Sequence, residues 1–172
     1  GGDHIFWQKD SENFADKINL VRPANLPGSP AGAGYRVFYT KTGKKFLLIN
    51  LMGRTNFGGT NSYLLDPFTK ADEILEEFKN EKLDAIIVDF HAEATSEKMA
   101  LGFYLDGRVD LFVGSHTHIP TNDMLVLPKG TLYVTDIGMT GNIDSVLGVK
   151  KEIIQNLFLT ATPQRFEWEK SG

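Results

Sequence analysis

Two apolar runs separated by a helical pattern limit the possible fold more than any other feature of this sequence. Leu83–Phe90 and Val109–Val113 are mainly apolar, and Thr95–Leu105 between them has the composition of a helix that Gly107 ends. Such runs are typical of strands buried on both faces. The order strand, helix, strand predicts parallel neighbours whose carboxyl ends meet at one sheet edge, where ligands of α/β proteins bind. The fold class is therefore predicted to be α/β.

Short strands and amphipathic helices are predicted for the rest of the chain. The 172 residues suffice for one domain with an apolar core, and we expect a single domain over residues 1–172. Turn residues between apolar runs predict hairpins, and i, i+3, i+4 spacing predicts helices. The further predicted elements are a helix from Asp10 or Ser11 to Asp16, a hairpin of Tyr35–Tyr39 with Lys45–Asn50, a loop Met52–Asp66, a helix Pro67–Asn80, a hairpin of Met124–Leu127 with Thr131–Thr135, a helix Lys150–Leu159 and a strand Arg165–Trp168 with Phe166 and Trp168 inward.

Three of the four histidines follow the two apolar runs. His91 comes after the first run, and His116 and His118 come after the second. Because residues at i and i+2 of an extended segment point to the same side, the rings of His116 and His118 can converge on one ion. Taken alone, this pair is equally well explained as exposed loop histidines. Its position at the predicted ligand edge favours metal ligation, whereas His4 stays open between a functional and a surface role.

The residue types present limit the metal that such a site can bind. The chain has no cysteine, so thiolate sites and cysteine nucleophiles are excluded, and imidazoles and carboxylates are the remaining strong ligands. This donor set suits manganese, iron or zinc. The nearby acids are Asp3, Asp89 and Glu93. Asp89 shares the side of His91 on its strand, and Glu93 can accept a hydrogen bond from a ligating histidine, although a helix-capping or surface role for each stays open.

Charge and hydropathy argue against several other classes. The net charge of −4 disfavours binding to a nucleic-acid backbone, and we expect no stable nucleic-acid complex. No apolar run reaches the ~20 residues of a membrane helix, and no signal pattern opens the chain, so a cytoplasmic protein without membrane contact is expected. Ser115 and Thr117 are not paired with a base, which disfavours a serine hydrolase.

Five motifs together resemble the YmdB-like bacterial metallophosphoesterases, a branch of the calcineurin-like superfamily. They are Gly2–His4, Leu20–Asn25, Asp89–Lys98, Gly114–His118 and Thr135–Gly141. The resemblance runs over nearly the whole chain, and the string His-Ala-Glu-Ala-Thr-Ser-Glu-Lys is far more specific than a lone His-x-His. It implies a calcineurin-like α/β/β/α sandwich with two metal ions that hydrolyses phosphodiesters such as 2′,3′-cyclic nucleotides.

Carried over residue by residue, the resemblance assigns roles to the histidines. It makes His91 and His116 ligands of one metal and His118 a ligand of the other. His4 becomes the acid that protonates or stabilises the leaving oxygen. Asp3 stands where the family has a metal-binding Asn, so it can coordinate but adds negative charge near an anionic substrate.

The resemblance also implies family segments that precede Gly1. An N-terminal β-α-β portion supplies a metal-binding Asp in the family, and a Gly-Glu-Asn segment supplies the bridging ligand. The chain starts after both, so we expect a sandwich that is incomplete at its N-terminus. Two metals about 3.5–4 Å apart need such bridges, and this fragment is therefore expected to be weakly active or inactive.

Two hypotheses of different classes follow. The first is a metal-dependent phosphodiesterase in which metal-activated water attacks phosphorus in line and His4 assists the departure of the leaving oxygen. Its expected partner is a small phosphodiester or cyclic nucleotide. The second is a non-catalytic metal-binding module with a structural or regulatory role. Asp3 in place of the family's Asn and the missing metal ligands favour this hypothesis. A homo-oligomer stays open under both.

Overall fold

The structure is a computed structural model that describes residues 2–6, 18–28, 30–55 and 63–170. Its contacts divide the chain into two compact units, Gly1–Ile137 and Gly138–Gly172. The predicted helix from Asp10 or Ser11 to Asp16 and residues 56–62 of the predicted loop lie outside the described residues. The prediction of one domain over residues 1–172 stays a prediction.

Among its described residues, unit 1 has a six-stranded sheet and two helices, which confirms the α/β class. The spatial strand order is β1-β2-β3-β4-β6-β5. Both predicted hairpins are present, since β1 pairs with β2 and β5 with β6 in antiparallel fashion. The strands are β1 (Tyr35–Tyr39), β2 (Lys45–Met52), β3 (Ala85–His91), β4 (Leu111–Ser115), β5 (Leu125–Val126) and β6 (Leu132–Val134), and the helices are α1 (Pro67–Glu77) and α2 (Thr95–Leu105).

The centre of the sheet is parallel, as the strand-helix-strand pattern predicts. β3 pairs in parallel with both β2 and β4. Within this register His91 lies beside Met52 of β2 on one side and beside Ser115 of β4 on the other. The carboxyl ends of three strands therefore meet at His91.

The core lies where α1 and α2 cover the apolar faces of the central strands. Phe90 and Phe112 are fully buried with ring centroids 6.0 Å apart, and Phe112 stacks on Tyr133 at 5.4 Å. Aromatic pairs at these separations add to the stabilisation from buried area. The buried cluster comprises Leu47, Ile49, Leu51, Ala71, Ile74, Val88, Phe90, Ala92, Leu101, Leu105, Val109, Phe112, Leu127 and Tyr133.

Helix α2 has the predicted bounds, Thr95–Leu105. Its N-cap is Ala94, which makes no side-chain hydrogen bond. Met99 and Phe103 are exposed, and the buried face includes Lys98. A buried lysine on a helix needs an ionic partner, which for Lys98 is Asp136.

Unit 2 contains a helix and isolated bridges. Helix α3 (Lys151–Thr160) confirms its prediction. The predicted strand Arg165–Trp168 is wrong, since only a bridge between Val149 and Trp168 forms there. Phe166 and Trp168 are 50% and 69% exposed, so neither lies inward. Alternation of aromatic and charged residues fails to form a strand here because a single bridge gives it no partner ladder.

No helix in the described ranges is long and apolar enough to cross a membrane.

Candidate metal centre

The candidate site lies at the carboxyl ends of β2, β3 and β4, with the N-terminal segment placed against it. His91 is the last residue of β3, and Ser115 is the last residue of β4. Gly2 is buried against the imidazole, since a Cβ at this position would lie 2.7 Å from Cε1 of His91. Any larger residue would displace the ring or the segment that carries Asp3.

Asp3, His91 and His116 form a cluster whose potential ligand atoms all lie within 4.8 Å of one another. Nε2 of His91 is 3.0 Å from Oδ1 of Asp3 and 3.0 Å from Nδ1 of His116. The two rings meet edge to face, with centroids 4.8 Å apart. Three potential metal-ligand atoms, one from the end of β3, one from the segment after β4 and one from the N-terminal segment, are thus close together.

A chain of hydrogen bonds favours the tautomer of His91 that carries its proton on Nδ1. The carboxylate of Asp89 can only accept, so the hydroxyl of Ser115 donates to it at 2.7 Å. The Ser115 oxygen then accepts from Nδ1 of His91 at 3.2 Å. Asn50 completes the chain by donating to the other oxygen of Asp89 at 2.8 Å. With the proton on Nδ1, a neutral His91 presents the lone pair of Nε2 to Asp3.

Glu93 has the same effect on His116. Its carboxylate lies 3.0 Å from Nε2 of His116 and can accept a hydrogen bond from the N–H group at that position. The lone pair of Nδ1 is then directed at His91. Carboxylates that hold the outer nitrogen of a histidine are the usual outer-shell arrangement of metal sites.

The cluster therefore combines two imidazole lone pairs and one carboxylate oxygen at hydrogen-bond distances. Burial lowers the pKa of His91, in opposition to the contact with the Asp3 carboxylate, and its side chain is only 12% exposed. The two imidazole lone pairs and the Asp3 carboxylate repel one another, and the lowered pKa of His91 disfavours its protonation as a way to relieve this repulsion. A divalent cation relieves it, and oxygen and nitrogen donors suit manganese, iron or zinc. The residues present fit a metal ion.

His118 is placed near this edge but outside the cluster. His116 and His118 have φ values of 110° and 68°, so the segment after β4 is not extended and the i, i+2 argument for convergence is wrong. Because the backbone has a positive φ at both positions, the side chains of His116 and His118 do not follow the alternation of an extended strand. Nδ1 of His118 is buried without a hydrogen-bond partner among the described residues, which is unusual for a polar atom. Metal ligation by His118 stays a prediction.

His4 lies at the rim of the site. Its Nε2 is 3.2 Å from Oδ2 of Asp3, and its side chain is 55% exposed. The imidazole therefore contacts the second oxygen of the carboxylate, whose first oxygen faces His91, and it remains accessible to solvent. Its predicted role as an acid stays a prediction.

Several residues of this region were not singled out from the sequence. The sequence pattern suggests no metal-site role for Ser115 or Asn50, although both belong to the hydrogen-bond chain behind His91. Lys98 and Asp136 form an ion pair of 2.8 Å in which each side chain is 1% exposed. Two features of the sequence could have indicated these residues. They are polar residues inside otherwise apolar strands and a lysine on the apolar face of a helix.

Comparison with known proteins agrees with the motifs. The model of the YmdB-like protein family matches residues 1–172. The chain belongs to the YmdB-like family. It is 48% identical over 167 residues to the 2′,3′-cyclic-nucleotide 2′-phosphodiesterase of Bacillus subtilis, covering 96% of this chain and 61% of that protein. This YmdB-like chain thus spans about three fifths of the length of that relative.

Solved structures of relatives share the fold. A hypothetical protein from Thermus thermophilus superposes with a TM-score of 0.86 at 43% identity, covering 99% of this chain and 64% of that chain. A phosphatase from Mycoplasma pneumoniae superposes with a TM-score of 0.78 at 36% identity, covering 96% of this chain and 58% of that chain. The fold described above is thus that of this YmdB-like group.

Proposed function

We propose that this chain contributes metal ligands and an acid to the active site of a metal-dependent phosphodiesterase. The observation that carries the proposal is the close approach of three potential ligand atoms, since Nε2 of His91 lies 3.0 Å from Oδ1 of Asp3 and 3.0 Å from Nδ1 of His116. A bound cation would stabilise such a set of nitrogen and oxygen atoms. The name of the Bacillus subtilis relative supports a 2′,3′-cyclic nucleotide or a related phosphodiester as the substrate.

Asp3, His91 and His116 are the proposed ligands of one ion, and His118 is the proposed ligand of a second. Divalent or transition-metal ions at such sites polarise phosphoryl oxygens and make water more acidic. The buried nitrogen of His118 supports its inclusion, because a ligand role would supply the missing partner. The metals are proposed to be manganese, iron or zinc.

His4 is the proposed acid of the reaction. Hydrolysis forms a new bond between phosphorus and the oxygen of water and breaks one ester bond, whose oxygen must take a proton. The exposed ring of His4 can reach a substrate in solution, and the contact with Asp3 orients it. Proton donation of this kind contributes about 10²–10⁴-fold to a rate.

Two histidine substitutions separate metal binding from proton transfer. In the full gene product, His91→Asn should weaken Mn²⁺ binding by more than the ~10–100-fold typical of a lost outer-shell partner. His4→Gln should retain Mn²⁺ affinity while the turnover of a 2′,3′-cyclic nucleotide falls by about 10²–10⁴-fold. Calorimetric titration with Mn²⁺ and a chromatographic hydrolysis assay measure the two quantities on the same preparations.

The two variants act as controls for each other. Hydrolysis that persists unchanged in His91→Asn would contradict the proposed ligand set. Equal turnover in His4→Gln and in the unaltered protein would contradict the role of His4 alone. Tight Mn²⁺ binding by a folded protein that hydrolyses no phosphodiester would favour the non-catalytic metal-binding module instead.

A further inference from the structure

The buried ion pair of Lys98 and Asp136 lies directly behind the segment that carries two of the candidate ligands. Lys98 comes from the inner face of α2, and Asp136 follows β6. Their charged atoms are 2.8 Å apart, and each side chain is 1% exposed. Two charges removed from water to this degree cost several kcal/mol each in desolvation, so the pair is not explained by stability alone.

Asp136 also binds the segment between the histidines. The oxygen that pairs with Lys98 accepts hydrogen bonds from the amide of Thr117 at 3.1 Å and from its hydroxyl at 2.8 Å. The backbone of Asp136 is joined to Thr121, whose amide donates to the Asp136 carbonyl at 3.0 Å and whose hydroxyl accepts from the Asp136 amide at 2.9 Å. Asp136 thus holds the segment His116–Thr121 near its start and at its end.

This segment needs external support because its backbone is strained. His116 and His118, on either side of Thr117, both have positive φ values of 110° and 68°. Non-glycine residues in such conformations cost about 1–3 kcal/mol each and persist only where the surroundings fix them. The bonds from Thr117 to Asp136 are placed between the two strained residues and supply that support.

The neighbouring backbone leaves little room for Asp136 to move. A Cβ on Gly114 would lie 1.8 Å from the carbonyl oxygen of Thr135 and 2.9 Å from Cδ of Lys98. The amide of Ile137 donates to the carbonyl of Gly114 at 3.0 Å. β4, the lysine side chain and the segment after β6 are therefore packed in direct contact, and the position of Asp136 is set on both sides.

We propose that Asp136, held by Lys98, is a positioning residue that fixes the backbone between His116 and His118 in the conformation that binds metal. The inference rests on the proposed function, since it concerns the same ligands. Neither Lys98 nor Asp136 is one of the proposed metal ligands. They act through Thr117, as outer-shell groups that typically change metal affinity by about 10–100-fold.

Thr117 offers the mildest test, because its hydroxyl can be removed without a change in charge. Thr117→Val should lower Mn²⁺ affinity in the full gene product by about tenfold, and Thr117→Ser, which keeps the hydroxyl, should restore it. Asp136→Asn should lower the affinity further, because it leaves Lys98 buried without a counter-charge. The double substitution Lys98→Met with Asp136→Asn removes both charges. It replaces the single variant in the Mn²⁺ titration if Asp136→Asn alone does not fold.

Asp106→Asn provides the matched control. Asp106 is also buried, and its carboxylate accepts hydrogen bonds from the amides of Lys129 and Thr131, but it follows α2 at the end of the sheet opposite to the site. Its substitution should lower the melting temperature without changing Mn²⁺ affinity. A loss of affinity in Asp106→Asn equal to that in Thr117→Val would overturn the positioning role and leave a general loss of stability.

Amide hydrogen exchange without metal separates this inference from the proposed function. The Thr117 amide should be protected in the unaltered protein and exchange faster in Asp136→Asn, while amides of β3 remain protected. If the unaltered protein binds no Mn²⁺, the proposed function fails whatever the exchange shows. If it binds Mn²⁺ but Thr117→Val binds equally well, or the Thr117 amide is unprotected, the positioning role of Asp136 is overturned and the proposed function stands.

Discussion

Substitution of Ser115 by alanine tests the hydrogen-bond chain on which the candidate metal centre depends. The hydroxyl of Ser115 connects the Asp89 carboxylate to Nδ1 of His91 at 2.7 and 3.2 Å. Ser115→Ala leaves Nδ1 without its acceptor and one oxygen of Asp89 without its donor. The proton of His91 is then free to move to Nε2, where the Asp3 carboxylate at 3.0 Å would accept it.

The magnitude follows from the two groups that lose a partner. A buried donor or acceptor left without a hydrogen bond costs about 1–3 kcal/mol. Both groups are only partly buried, so we expect the unfolding free energy to fall by about 1–2 kcal/mol rather than by twice the full cost. Metal affinity should fall by about 10–100-fold, because the ion must compete with a proton on Nε2 of His91. That loss corresponds to about 1.4–2.8 kcal/mol of binding free energy.

Two measurements check the prediction. Long-range ¹⁵N–¹H NMR of the metal-free protein at neutral pH reports which nitrogen of His91 is protonated, and calorimetric titration reports the affinity for Mn²⁺. Ser115→Thr keeps the hydroxyl on a strand residue and is the matched control. An Nδ1-protonated His91 and an unchanged affinity in Ser115→Ala would refute the claim that Ser115 sets the tautomer.

Three further substitutions test other parts of unit 1. Gly2→Ala places a Cβ 2.7 Å from the ring of His91 and should weaken Mn²⁺ binding without lowering the melting temperature by more than a few degrees, which calorimetry measures. Gly114→Ala would place a Cβ 1.8 Å from a backbone oxygen, so a loss of stability well above ~1 kcal/mol is expected in urea unfolding; a fully stable variant would contradict the packing. The hydrogen bond to Glu77 and burial raise the pKa of Tyr35 to about 12, so this group stabilises the fold below pH ~10 and the contribution is lost as the pH rises toward 12. Tyr35→Phe should remove that alkaline loss in pH-dependent unfolding and the late ionisation in ultraviolet titration.

The sheet could be predicted from the sequence because its determinants are local. Apolar runs, a helix between them and turn residues within hairpins predicted the parallel neighbours β3 and β4 and both antiparallel pairs. The strand predicted for Arg165–Trp168 failed, since its alternation required a partner that the sequence does not reveal. Strand formation depends on pairing as much as on pattern.

The site was predictable in its residue types but not in its geometry. Position after a strand placed His91 and His116 together, and the structure brings them within 3.0 Å. The same reasoning gave His118 an extended backbone, and its φ of 68° departs from that because hydrogen bonds from Thr117 to Asp136 bend the segment. Such bends depend on contacts between residues far apart in sequence, and a local sequence pattern does not predict those contacts.

The balance of charge at the site leads to the order in which its ligands bind. Asp3, Asp89 and Glu93 are carboxylates around two imidazoles, and burial lowers the pKa of one of these, His91. None of the three forms an ion pair with a lysine or arginine in the part of the chain that the structure describes, and Lys98, the buried cation behind the site, is paired with Asp136. An anionic phosphodiester would be repelled by this arrangement, since each like charge at about 4–6 Å opposes it. Under the proposed function, the cation that would relieve the repulsion among the protein ligands would also reduce the repulsion of the substrate. We therefore expect metal binding to precede phosphodiester binding at this edge of the sheet.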